Sequence, residues 1–320
     1  MDAGGLIVEP SWSDDFSPHT ELDSIHSLRQ FGSSRNIFEG VNIHGNAKAH
    51  LGNSYVSHNY FDGGRQLDDL STLTYHDVHR RIQTQRLVGT GSWFAESDTF
   101  AAWRDSPHSA SLWCYGSPGA GKTFVASSIV DHLRSNPATQ ASHVLYLYSS
   151  RDREFGQSPS SYLSCLARQL VESVPRGQRR LFLSTIEAHN RGRDCHSIQA
   201  LLTLFVKMAR HFARIYVVLD ALDEFSTDPD DRYELLRTLA ALQSDDQLPL
   251  VLICVTSRET DHGIAPLKLT SAIQIRVPDE ELGRYISARI TQSSRLSQLC
   301  QRSHLTNSIR ENVLKASQNV

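Results

Sequence analysis

The stretch Gly116-Ser117-Pro118-Gly119-Ala120-Gly121-Lys122-Thr123 decides the fold of this chain. It fits the phosphate-binding pattern G-x-x-x-x-G-K-[ST] without a mismatch. An apolar run at 111–115 precedes it, and residues 124–133 follow it with apolar side chains at helical spacing. The pattern therefore predicts a buried strand, a phosphate-binding loop and a helix in succession.

The residue types in this stretch suit the chemistry of phosphate binding. Glycines let successive backbone N–H groups turn toward a phosphate, and the helix that follows adds its positive N-terminal end. Lys122 is expected to reach the β- and γ-phosphates, and the Thr123 hydroxyl is expected to ligate Mg²⁺. All eight residues are therefore predicted to bind a nucleotide, with an ordinary glycine-rich turn as the alternative.

Composition bounds the class of protein. The 320 residues carry 39% hydrophobic side chains, enough for one large domain or two modest ones. The net charge of −3 gives no argument for a nucleic-acid partner or an anionic membrane. The absence of an 18-residue apolar span and the five scattered cysteines indicate a protein of the cytoplasm, with no membrane span.

The N-terminal part reads differently from the rest. Residues 1–66 are predicted to be mostly disordered, because apolar residues are sparse. Within residues 39–64, two Gly-Asn pairs separate short runs, and Ala47, Ala49 and Leu51 alternate with polar residues. This period of two predicts a strand-and-turn motif that could stack between chains, and a flexible polar linker is the alternative.

From residue 67 onward, helical and strand patterns alternate. Residues 67–110 are predicted to form a helical lead-in. Strands are predicted at 111–115, 142–148, 214–219, 248–256 and 272–277, and helices at 161–170, 198–208, 279–290 and 308–317.

An acidic cluster follows the third predicted strand. Five apolar or aromatic residues run directly into Asp220, and Asp223 and Glu224 come next. Asp220 is placed at the strand tip to hold the Mg²⁺ that Thr123 contacts, while Asp223 and Glu224 can orient or deprotonate an attacking water. A simple helix N-terminus is the alternative for such a cluster.

The fourth predicted strand ends next to Arg258. Because ligands lie outside the carboxyl ends of strands in α/β sheets, this guanidinium can reach a γ-phosphate and report its presence. A surface arginine that caps a loop is the alternative.

These motifs together resemble the NACHT domain of fungal NOD-like receptors, which belong to the STAND class of P-loop NTPases. The resemblance rests on residues 113–123, 217–224, 256–258 and 284–286. It implies an α/β fold with a five-stranded parallel sheet between helices, in which the strand before Arg258 lies between the phosphate-loop strand and the strand of Asp220. It also implies an NTPase domain at 111–290 and the start of a helical lid at 291–320.

The resemblance implies a switch that binds Mg²⁺ with ATP or GTP, hydrolyses it slowly and controls oligomerisation or a signalling partner. Residues 39–64 resemble the Gly/Asn-rich motifs that lie beside such domains. Two departures stand out. The family often has Gly where this chain has Ala221, from which we expect little consequence. No winged-helix or repeat region follows either, so we expect that the chain is a truncated product or that it acts through a partner.

Two functional hypotheses remain at this stage. In the first, the chain is a signalling NTPase. In the second, it is a nucleotide-binding adaptor that assembles through residues 39–64 without significant turnover. A P-loop motor or transporter ATPase is a weaker third reading, because the sequence offers neither basic channels nor membrane spans.

Overall fold

Five strands form the centre of the protein. They are β1 (Ala110–Tyr115), β2 (His143–Tyr148), β3 (Arg214–Asp220), β4 (Leu250–Ser257) and β5 (Leu269–Gln274). All neighbouring pairs are parallel, in the order β2-β3-β4-β1-β5. The structure, a computed structural model, describes residues 64–87, 89–139, 142–150, 157–245, 248–259, 264–303 and 305–318.

Twelve α-helices accompany the sheet in the described part of the chain. They are α1 (Gly64–Leu70), α2 (Tyr75–Gln85), α3 (Ser92–Ala95), α4 (Asp98–Arg104), α5 (Lys122–Ser135), α6 (Pro159–Glu172), α7 (Arg180–Asn190), α8 (Ile198–Ala209), α9 (Pro229–Ser244), α10 (Asp279–Gln292), α11 (Ser294–Ser303) and α12 (Thr306–Gln318). The prediction of an α/β fold with a five-stranded parallel sheet between helices is confirmed.

The burial of the inner strands explains why the sequence pattern predicted their positions. Every residue of β3 after Arg214 and of β4 after Leu250 is buried, as expected for parallel strands that are covered on both faces. Strand β4 lies between β1 and β3, so the order that the resemblance implied is confirmed. Because the strands are parallel, β1, β3 and β4 all end at one edge of the sheet.

The fifth strand differs from its prediction. It spans Leu269–Gln274 rather than 272–277. Its pairing with β1 ends at the register Tyr115↔Gln274, because β1 itself ends there and the phosphate-binding stretch begins. Ile275 still donates its backbone N–H to the Tyr115 carbonyl at 2.6 Å, and the chain then leaves the sheet.

Helices cover the sheet and extend beyond it. Helix α5 packs on β2, β3 and β4, whereas α6 packs on β2 and contacts α8 and α9. Ile286 and Ile290 of α10 and Cys300 of α11 form a separate small cluster, and Ile309 of α12 packs against it, so the predicted lid segment at 291–320 packs on α10. The five cysteines are unpaired. Within the described ranges, no helix is long and apolar enough to cross a membrane.

Residues 1–63 lie outside the part of the chain that the structure describes. The disorder predicted for residues 1–66 and the strand-and-turn motif predicted at 39–64 therefore stay predictions. Gly64, the last residue of that motif, begins helix α1.

Candidate functional site

The phosphate-binding stretch forms a loop between β1 and α5. Its glycines differ in the geometry that favours glycine at each position. Gly119 and Gly121 adopt φ values of 83° and 86°, in the left-handed region that favours glycine. Gly121 is also the N-cap of α5. A Cβ added to Gly116 would lie 3.0 Å from the Ile275 carbonyl oxygen, so a side chain there would push this backbone away by a few tenths of an ångström.

Lys122 folds back over this loop. Its ammonium Nζ donates to the carbonyl oxygens of Gly116 at 2.7 Å and Ser117 at 2.9 Å. Burial lowers the pKa of this ammonium, while the carboxylates of Asp223 and Asp220 act in the opposite direction. The lysine thus lies where loop carbonyls and two acidic side chains converge.

Asp220 is the last residue of β3 and is buried. Its Oδ1 accepts a hydrogen bond from the Thr256 hydroxyl at 2.6 Å. Burial raises the pKa of the Asp220 carboxyl to about 6, although hydrogen bonds from Thr256 and Thr123 oppose that rise. The Thr123 hydroxyl, predicted with Asp220 as a metal ligand, therefore lies close enough to influence the pKa of this carboxyl.

Thr256 was given no role in the sequence analysis. Its hydroxyl donates to Asp220 and also accepts the backbone N–H of Ala221 at 2.9 Å. Thr256 is fully buried near the end of β4. A threonine near the end of an otherwise apolar strand was the available signal. Its hydrogen-bond partners lie at the end of β3, and the sequence could not identify them without the order of the strands.

Ala221 has the one positive φ value among the described non-glycine residues, with φ 53° and ψ 51°. This is the left-handed region, which an L-residue with a Cβ adopts at a cost. The turn is needed because the chain leaves β3 and enters a 3₁₀ turn at Leu222–Glu224. The departure at Ala221 thus falls at a position whose backbone favours glycine.

Asp223, Glu224 and Arg258 line one cleft beyond this turn, and Asp223 forms an ion pair with Arg258. Arg258 Nε lies 2.9 Å from Asp223 Oδ2, and the Asp223 side chain is only 11% exposed. Asp223 Oδ1 is buried and has no hydrogen-bond partner among the described residues. Glu224 is half-buried, and its backbone N–H donates to the Ala221 carbonyl at 2.8 Å.

A cleft of about 310 Å³ unites most of these side chains. Its lining comprises Pro118, Gly119, Gly121, Lys122, Thr123, Phe124, Ala221, Asp223, Glu224 and Arg258. The other residues predicted for the site, Gly116, Ser117, Ala120 and Asp220, support this cleft from the loop backbone and from the end of β3. The two motifs, separated by about a hundred residues in sequence, therefore form one site.

The donor set fits Mg²⁺ by its chemistry. The Thr123 hydroxyl and the Asp220 carboxylate offer hard oxygen ligands, which Mg²⁺ prefers. The unpartnered Asp223 Oδ1 adds a buried acceptor beside them, suited to a hydrogen bond from a metal-bound water.

A second cavity, of about 180 Å³, lies on another side of the same loop and was not predicted. It is mostly apolar and is lined by Gln85, Arg86, Leu87, Thr90, Gly91, Gly119, Ala120, Gly121, Phe124, Val125, Val277, Glu281, Leu282 and Tyr285. Its one buried carboxylate, Glu281, accepts the Gly91 N–H at 2.9 Å. Three separate parts of the chain build it, so local sequence patterns could not reveal it.

The comparisons with known proteins agree with the motif. A family model described as Nephrocystin 3, N-terminal, matches residues 89–258, which is just over half of the 320 residues. This span includes the loop, the acidic cluster and Arg258. No curated protein matches the chain.

Several solved structures are distantly similar. The ORC1 protein of Aeropyrum pernix in complex with DNA has 18% identity, 63% coverage of this chain, 48% coverage of its own and a TM-score of 0.42. AMPPCP-bound DnaA from Aquifex aeolicus has 14% identity and a TM-score of 0.35, and the match covers 65% of this chain and 53% of DnaA. A STAND protein with a tetratricopeptide repeat sensor from Pyrococcus horikoshii has 12% identity and a TM-score of 0.35, and the match covers 63% of this chain and 26% of that protein. This chain thus spans about half or less of each.

Proposed function

The chain belongs to the family described as Nephrocystin 3, N-terminal, and from that premise we propose that it binds a Mg²⁺-nucleoside triphosphate and hydrolyses it slowly. As a P-loop NTPase of the NACHT-like kind, it would use the nucleotide as a switch. The observation that carries the proposal is the convergence of the phosphate loop, Asp220 and Arg258 on one cleft.

The phosphates are proposed to lie along the loop. Backbone N–H groups of residues 116–123 and the N-terminal end of α5 bind the α- and β-phosphates. Lys122 exchanges its two carbonyl acceptors for phosphate oxygens on the β- and γ-phosphates. Arg258 contributes a second cation at the γ-phosphate end of the cleft.

Thr123 and Asp220 are proposed to hold the metal. When bound, Mg²⁺ neutralises charge that develops on the transferred phosphoryl group. Thr256 keeps Asp220 oriented through its 2.6 Å hydrogen bond. Glu224 is half-buried on the cleft wall, and its proposed role is that of a general base that accepts a proton from the attacking water.

The apolar cavity beside the loop is proposed to receive the base. It shares Gly119 and Gly121 with the phosphate cleft, so one ligand could occupy both. Apolar walls suit the faces of a purine, and the Glu281 carboxylate can accept hydrogen bonds from base or ribose donors. Both ATP and GTP offer such donors, and either is compatible with the proposal.

Signalling is the proposed use of the switch. Nucleotide exchange would control self-association or the binding of a partner protein, in the reducing cytoplasm that suits five unpaired cysteines. The support for this part is the NACHT-like character of the chain, which the family match reinforces.

Thermal unfolding with ATP, GTP, ADP and GDP, each with and without Mg²⁺, tests the proposal. A nucleotide at about 100 times its Kd stabilises the folded state by about 2.7 kcal/mol. For a domain of this size that raises Tm by about 5–10 °C. If none of the eight conditions moved Tm, the nucleotide site would be refuted.

A further inference from the structure

The ion pair between Asp223 and Arg258 has a particular geometry. The guanidinium contacts Asp223 through Nε, with an Nε–Oδ2 distance of 2.9 Å. Its two terminal nitrogens make no hydrogen bond to the described residues, and Arg258 lines the phosphate cleft with 42% of its side chain exposed. An arginine that is anchored at Nε keeps both terminal nitrogens for a planar, two-point contact with an anion.

The two residues differ in burial. Asp223 is 11% exposed and is fixed by the 3₁₀ turn Leu222–Glu224, whereas Arg258 is a long side chain just beyond the end of β4. A free arginine loses rotamer entropy when it orders on a ligand. A buried carboxylate that already fixes Nε reduces this loss, so the pair is suited to preorganising the arginine.

We propose that Asp223 is a positioning residue that directs the Arg258 guanidinium toward the terminal phosphate, and that the pair sets the preference for a triphosphate over a diphosphate. This inference rests on the proposed function. It replaces the water-activating role predicted for Asp223 and leaves that role to Glu224, which lines the same cleft.

Two other roles for Asp223 give different signatures. If its carboxylate acts on Mg²⁺ or on a metal-bound water, its removal matters only when Mg²⁺ is present. If it only adds negative charge to the cleft, its removal tightens the binding of every nucleotide, because repulsion of the phosphates is relieved.

Equilibrium binding of a non-hydrolysable triphosphate analogue and of the matching diphosphate tests the inference, in Mg²⁺ and in EDTA. The variants are Asp223→Asn, Arg258→Gln, their combination and Arg258→Lys, which keeps the charge but lacks the fork. Asp230→Asn is the matched control, since it neutralises an exposed carboxylate that does not line the cleft. Unchanged Tm values for the free variants confirm folding.

We expect Asp223→Asn and Arg258→Gln each to raise the Kd of the triphosphate by about tenfold, and the combination to raise it no further. Arg258→Lys should behave like Arg258→Gln. The Kd of the diphosphate should change by less than about twofold in every variant. The rise in the Kd of the triphosphate should persist in EDTA. Asp230→Asn should leave both Kd values near wild type.

Equal losses for the triphosphate and the diphosphate, additive losses in the combined variant, tighter binding in Asp223→Asn or an effect confined to Mg²⁺ would each overturn the inference. Failure of the wild-type chain to bind either the triphosphate analogue or the diphosphate would be a different result. It would refute the proposed function, and the inference with it.

Discussion

Replacing Ala221 by glycine should stabilise the protein. Ala221 is held at φ 53° and ψ 51°, a left-handed conformation that costs a residue with a Cβ roughly 1–2 kcal/mol. Glycine avoids that cost but adds conformational entropy to the unfolded chain, which offsets roughly 0.4–1 kcal/mol. The free energy of unfolding should therefore rise by about 1 kcal/mol, which corresponds to an increase in Tm of about 2–4 °C.

Urea and thermal unfolding measure this change, and an unchanged denaturant m-value would show that the unfolded state is comparable. Ala241→Gly is the matched control, because Ala241 is exposed within helix α9. That control should lose about 0.5–1 kcal/mol. If Ala221→Gly destabilised the protein as much as the control does, the left-handed conformation assigned to Ala221 would be refuted.

Three further substitutions test the site. Glu224→Gln should leave nucleotide binding near wild type while hydrolysis, followed as phosphate release, slows by about 10²-fold or more. Asp220→Asn should instead weaken binding only when Mg²⁺ is present, and equal losses of binding in the two variants would contradict their separate roles. Thr256→Val leaves the Ala221 N–H and Asp220 Oδ1 without their buried partner, so chemical unfolding should report a loss of about 1–3 kcal/mol. Thr238→Val, which removes only an intrahelical bond, is its control and should lose less.

The sequence was most informative where a strand is buried on both faces. The apolar runs of β3 and β4 end at Asp220 and Ser257, and their positions were predicted to within two residues. Strand β5 lies at the edge of the sheet and is largely exposed, so its pattern was weaker and its prediction was displaced by three residues.

Several features of the described chain were missed, for different reasons. Helix α9 carried local signals, a capping Asp228 followed by Pro229, but its polar composition hid the periodicity. The hydrogen bonds of Thr256 and the pairing of Arg258 with Asp223 carry no local signal, because they join β4 to residues about 35 positions earlier. Such contacts depend on strand order, which only the fold provides.

The most direct test of the nucleotide site is equilibrium binding of a Mg²⁺-triphosphate to the wild-type chain and to Lys122→Ala. Charge-assisted contacts contribute about 1.5–3 kcal/mol each, so the variant should bind at least about tenfold more weakly. Lys207→Ala removes an exposed lysine on α8 and should bind like wild type. A Kd that is the same in all three proteins would contradict the assignment of Gly116 to Thr123 as the phosphate-binding loop.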